Sequence, residues 1–114
     1  MHGQEGAAMP VTRELLDEVV RRIIGAANPR RIVLFGSAAR GAMRPDSDLD
    51  LLVVMPDGTH RRHAANAIFQ ALRGIGLPKD VIVVTEGDAR EYRHNPSLVL
   101  KPAFDEGIEL YVAA

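Results

Sequence analysis

A chain of 114 residues, 46% apolar and 25% charged, is long enough to bury one core and too short for two. Its formal charge of −1 offers no bulk attraction to nucleic acid or an anionic membrane, and the lack of cysteine excludes disulfides and thiolate metal sites and permits a reducing compartment. No stretch reaches the roughly 18 to 20 continuous apolar residues of a membrane span, and residues 1–9, MHGQEGAAM, lack the charged start and apolar centre of a signal peptide. The expectation is a cytoplasmic protein, with a flexible N-terminus over residues 1–10 and one domain over residues 11–114, and with neither membrane nor nucleic acid as a partner.

Pro10 and Thr12 open a helical pattern in which Leu15, Leu16, Val19, Val20, Ile23 and Ile24 recur at three-and-four spacing, with charged residues on the other face. Asn28-Pro29 ends it, and RIVLF (31–35) follows as a short buried strand. Gly36 to Ser47 is too rich in small and turn-forming residues for a regular element, although SAAR offers one or two helical turns. DLDLLVVM (48–55) is a second strand, ended by the turn signal Pro56-Asp57-Gly58. From Thr59 a second helix places Ala65, Ile68, Phe69, Leu72 and Ile75 on one face.

KDVIVVT (79–85) is a third strand, GDAREYR (87–93) a short helical turn, and NPSLVLKPAFDEG (95–107) a last helix with Asn95 as its cap and Pro96 at its first position. Pro102 inside that helix predicts a kink or a division. Gly107 then releases IELYV (108–112) as the final strand. Strands alternating with helices predict an α/β or α+β domain, a mixed sheet with helices packed against it.

The second strand carries Asp48 and Asp50 where Val or Leu would bury better. Side chains two apart in a strand share a face, with Cα atoms roughly 6.6 Å apart, so the two carboxylates can converge on a hard cation. Left bare at about 4 Å they would repel by up to about 4 kcal/mol at an effective dielectric near 20. Taken alone, D-x-D also fits a plain strand start with Asp50 facing solvent on an edge. Asp46, Asp48, Asp50 and Asp57 fall at the offsets of a calcium loop, but Leu51 stands where that loop requires glycine. Gly36-Ser37, directly after a buried strand, allows close backbone approach to a ligand, and the Ser37 hydroxyl with neighbouring amides can hold phosphate oxygens.

GSAARGAMRPDSDLDLLVV, read as G-S, ten residues, D-x-D, resembles the signature of the minimal nucleotidyltransferase (MNT) family within the DNA polymerase beta-like nucleotidyltransferase superfamily. The flanking ARG (39–41) and SDLDLLV (47–53) fit it, and YRHNPSLVLKPAFDEGIELY is similar to the family's closing helix and strand. The resemblance implies a polymerase beta palm-like fold and a third carboxylate on a neighbouring strand, for which the sequence offers Asp80. It implies that Asp48, Asp50 and Asp80 hold two Mg²⁺ ions and serve catalysis, with Gly36, Ser37, Arg40 and Ser47 at the nucleotide. Arg40 fits a charge partner of the triphosphate and a structural partner of a nearby carbonyl or aspartate equally well.

The resemblance further implies an antitoxin that moves AMP from ATP to a tyrosine of a HEPN-family toxin. The small size of the chain agrees with an acceptor supplied from outside. A non-catalytic antitoxin that masks its partner, and transfer to a small molecule or RNA end, are the alternatives. Arg61, Arg62 and His63 in the first turns of a helix fit solvated surface better than a nucleic-acid patch, and the four histidines lack H-x-x-x-H spacing for zinc.

Overall fold

The structure, a computed structural model, describes residues 11–39, 48–94 and 100–114. Residues 1–10, Arg40, Ser47, Asn95 and Pro96 lie outside the described residues. The element order is α1 (Arg13–Ala27), β1 (Arg31–Phe35), β2 (Leu49–Met55), α2 (Arg61–Ala71), β3 (Lys79–Thr85), α3 (Glu86–His94), α4 (Lys101–Glu106) and β4 (Ile108–Val112).

The strands form one mixed sheet in the order β3-β2-β1-β4. β1 runs antiparallel to β2 and β4, whereas β2 and β3 are parallel and joined through α2. This is the mixed α+β architecture expected from the sequence. The central strands are buried on both faces, which is why they read as nearly continuous apolar runs.

Alternation along the strands divides the core in two. On one face, Val19 and Ile23 of α1 and Ala64, Ile68 and Leu72 from α2 and its C-terminus pack on Ile32, Leu34, Leu49, Leu51 and Val53. On the other, Ala103 packs with Val33, Phe35, Leu52, Val54 and Val84, flanked by Ala89 and Phe104. Each fully buried Leu or Ile is worth about 1.5–3 kcal/mol of transfer free energy, so this two-sided burial is what holds the sheet.

Thr12 caps α1 by accepting from the Leu15 N–H at 3.0 Å, and Asn28, left-handed at φ 54, donates its N–H to the Ile24 carbonyl at 3.1 Å. Arg22 reaches from α1 to the C-terminus of α2, donating to the Ala71 and Arg73 carbonyls at 3.2 and 2.8 Å.

Two expectations are corrected. α2 buries Ala64, Ile68 and Leu72, while Phe69 is 39% exposed, because the stripe against α1 and the sheet is one residue narrower than the predicted face. α3 is a nine-residue helix rather than a short turn, because its first turn is capped from two sides. The Asp88 carboxylate accepts from the Thr85 N–H at 3.0 Å while Thr85 Oγ1 accepts from the Asp88 N–H at 3.2 Å, and Asp57 accepts from the Gly87 N–H at 2.7 Å. α4 is described from Lys101, so Pro102 sits in its first turn, where its missing N–H costs no helical bond; residues 95–99 of the predicted helix lie outside the described residues.

Candidate active site

Three features of the strands bring the predicted residues to one end of the sheet. Asp50 is the second residue of β2 and pairs across the parallel ladder with Asp80 of β3. On its other side it pairs with Phe35, the last residue of β1. Asp48 precedes the strand by one residue and shares Asp50's face by alternation. The Leu49 N–H donates to the Pro78 carbonyl at 2.8 Å, so the entrances of β2 and β3 are fixed side by side.

All three aspartates lie on the face that carries Leu52, Val54 and Val84, beyond its apolar part. Asp48 and Asp80 are exposed and Asp50 is half-buried. Register neighbours in adjacent strands stand about 4.8 Å apart at the backbone, close enough for Asp50 and Asp80 to share a ligand.

Gly36 completes this end of the sheet. Its φ of +74 is one that L side chains rarely adopt, and a Cβ there would overlap Asp50 Oδ2 and lie 3.1 Å from Asp50 Cγ. The Asp50 carboxylate therefore lies against bare backbone, and only glycine gives it that room. Ser37 follows in the turn over residues 36–39 and is half-buried.

The donor set is all oxygen, which suits a hard cation such as Mg²⁺. Among the described residues no three acidic or histidine side chains converge closely enough to hold a metal ion as they stand. The register supplies the shared position, and the exposed carboxylates of Asp48 and Asp80 can change rotamer without disturbing the core. In donor chemistry the residues suit the ion.

Arg40 and Ser47, expected at the nucleotide, lie outside the described residues. Arg61 pairs with Asp88 at 3.0 Å and so serves the α2–α3 contact, while His60 and His63 stack with ring centroids 3.8 Å apart. The Pro78 carbonyl and Phe35, which hold and flank Asp50's end of β2, carry no signal in the sequence beyond a strand boundary.

Comparison with known proteins places the domain in a family and shows its fold. Residues 13–107 match the family model described as a nucleotidyltransferase domain. In structure the chain is similar to one chain of a toxin–antitoxin complex with AMP-PNP, with a TM-score of 0.65 and 15% identity over 86% of this chain and 73% of that one. A mutant of the toxin–antitoxin pair MntA-HpeT, with two aspartates changed to glutamate, gives the same TM-score, identity and coverage. A complex of tri-AMPylated Shewanella oneidensis HEPN toxin with MNT antitoxin matches with a TM-score of 0.60 and 14% identity over 89% of this chain and 72% of that one. At these identities the likeness is one of fold. No curated protein sequence gives a significant match. With 13–107 matched from the first residue of α1 to the glycine that ends α4, and with its G-S and D-x-D set on one end of the sheet, the chain belongs to the nucleotidyltransferase domain family.

Proposed function

We propose that this chain is an Mg²⁺-dependent adenylyltransferase that moves AMP from ATP to a tyrosine hydroxyl of a HEPN-type toxin and thereby silences it. The observation that carries the reading is the registered pair Asp50–Asp80 beside a glycine whose bare backbone lets the Asp50 carboxylate pack against it. Family membership supports nucleotidyl transfer. The donor and acceptor rest on the fold shared with the AMP-PNP complex and with the MNT antitoxin bound to AMPylated HEPN toxin.

In this mechanism Gly36 and Ser37 bind the terminal phosphates through backbone amides and the serine hydroxyl. Asp48, Asp50 and Asp80 would hold Mg²⁺, which when bound offsets phosphate charge and polarises the α-phosphate. Asp80, exposed at the strand entrance, accepts the proton of the tyrosine hydroxyl. The hydroxyl oxygen forms its bond to the α-phosphorus as the bond to the bridging oxygen breaks and pyrophosphate leaves. Residues 11–114 act as the one catalytic domain, in the cytoplasm. Among the described residues no helix is long and apolar enough to cross a membrane.

The test is the intact mass of the partner toxin after incubation with this chain, ATP and Mg²⁺. An AMP-sized increment is expected, and it disappears with Asp48→Ala/Asp50→Ala. A toxin that stays silent and co-purifies with that variant, with no increment, would establish masking by binding instead.

A further inference from the structure

A cavity of about 500 Å³ opens on the aspartates' face of the sheet, at the opposite end of the strands. Its floor includes Arg31 and Val54, which pair across β1 and β2, four residues along β2 from Asp50 or about 13 Å. None of the three aspartates lines it. α3 and α4 form its walls.

The chemistry of those walls is mixed in a specific way. Tyr92 and Phe104 make an aromatic wall, their ring centroids 4.9 Å apart at 35°, and the Arg31 guanidinium carbon lies 5.8 Å from the Phe104 centroid. Arg30 and Arg90 join Arg31 in the lining. Each arginine is held by one carboxylate through one nitrogen: Arg30 Nε on Glu86 at 3.3 Å, Arg31 Nε on Glu109 at 2.7 Å, Arg90 on Asp57 at 2.8 Å. A guanidinium has five N–H donors, so orientation by one acid leaves donors for a ligand. Glu86 and Asp105 also line the cavity and present acceptors.

We propose that this cavity is a second ligand site, for a planar aromatic ring carrying a single phosphate, the size of a nucleoside monophosphate. The volume falls within the roughly 300–1,000 Å³ of small-molecule sites. Guanidiniums supply fork-shaped donors for phosphate, the aromatic wall and the alkyl side chains of Val54 and Val112 take the ring, and Glu86 and Asp105 accept from hydroxyl or amino groups. With Glu109 and Asp57 counted beside Glu86 and Asp105, the carboxylates offset the three guanidiniums, so recognition rests on the unused N–H donors of the arginines, and a single phosphate is the most anionic group the cavity suits. The additional charges of a triphosphate would be set against Glu86 and Asp105.

The experiment is an amide chemical-shift titration of the full chain in EDTA, which disables any metal-dependent nucleotide binding at the aspartates, with the Asp48→Ala/Asp50→Ala chain in parallel. AMP, ribose 5-phosphate and inorganic phosphate are the probes. The expected result is saturable AMP shifts at Arg31, Ala89, Arg90 and Phe104 in both proteins, with the two probes that lack an aromatic ring at least about tenfold weaker. Phe104→Leu, which removes the ring, and Arg90→Gln, which removes the guanidinium, each weaken AMP several-fold. Equal binding of phosphate and AMP, shifts confined to residues 36–39 and the start of β2, or no saturable shift at millimolar AMP overturns the proposal. The outcome is independent of whether the aspartates transfer AMP.

Discussion

Replacing Gly36 by alanine tests the link between backbone geometry and the carboxylates. A Cβ at φ +74 costs about 1–2 kcal/mol, as for any L-residue forced toward the left-handed region. It would also overlap Asp50 Oδ2 and crowd Asp50 Cγ at 3.1 Å and Cβ at 3.4 Å, so the carboxylate must leave its rotamer at a further cost of about 0.5–1.5 kcal/mol. The total, about 1.5–3.5 kcal/mol, lowers Tm by roughly 4 °C per kcal/mol in a domain of this size. Gly74→Ala is the control, because Gly74 has a φ of +84 but nothing within 4 Å of the added Cβ. It shares the backbone cost and not the displacement of Asp50. Thermal melts and AMP transfer are measured on both. Gly36→Ala is expected to be the less stable and to lose transfer by about a hundredfold or more, since a misplaced group costs that much. If the two variants melt together and Gly36→Ala transfers AMP at the parent rate, the contact with Asp50 has no part in positioning it.

Asp80→Asn keeps the shape of an exposed strand-start side chain, so its melting is expected to stay within about 0.5 kcal/mol while transfer falls by about 10²–10⁴-fold, read by label transfer from ATP. Gly107→Ala sets a methyl against the Ala103 carbonyl and Val33 Cγ1, and 3.1 Å from the Leu34 carbonyl, where α4 closes on β1; overpacking there is expected to cost about 1–3 kcal/mol in urea unfolding. The Asp57 carboxyl is held below its ordinary value of 3.8 by the Arg90 hydrogen bond first and the Gly87 N–H second, and Asp88 by the Thr85 N–H first. Groups with depressed pKa stabilise the fold above the unfolded value and lose that contribution as pH falls through the folded one, so the urea midpoint is expected to drop below about pH 4. Asp57→Asn flattens that drop. Lys101 has the opposite sign: its pKa is raised above 10.5 by the hydrogen bond to Asp105, so its contribution is present below that value and fades as pH climbs through the raised one.

The regular elements were legible where periodicity and punctuation agreed. RIVLF, KDVIVVT and IELYV are strands at the residues expected, and Thr12 and Asn28-Pro29 bound α1 because a cap and a left-handed exit leave plain residue signatures. The full length of α3 is only partly legible, although Thr85 and Asp88 stand at capping-box spacing. Half of its anchoring comes from Asp57, thirty residues away in contact distance along the chain, and no local window contains it. The exposure of Phe69 on α2 is not legible in the sequence, since the width of a buried stripe depends on which elements flank it. For the site, G-S and D-x-D were readable as local motifs. The neighbourhood of Asp80 followed from resemblance alone, because strand register between β2 and β3 is set by the pairing and leaves no mark within either strand.

That parallel pairing also fixes when the site comes into being as the chain folds. Gly36 meets Asp50 as soon as the antiparallel β1–β2 pair closes, whereas Asp80 arrives only after α2 has crossed the sheet and β3 has docked, a non-local and intrinsically slow contact. A partly assembled chain therefore carries the glycine cradle and two carboxylates without the third. The chemistry of this end of the sheet switches on with the β2–β3 pairing and does not wait for β4, whose more distant ladder with β1 lies on the other edge, so its appearance during refolding would mark the docking of β3.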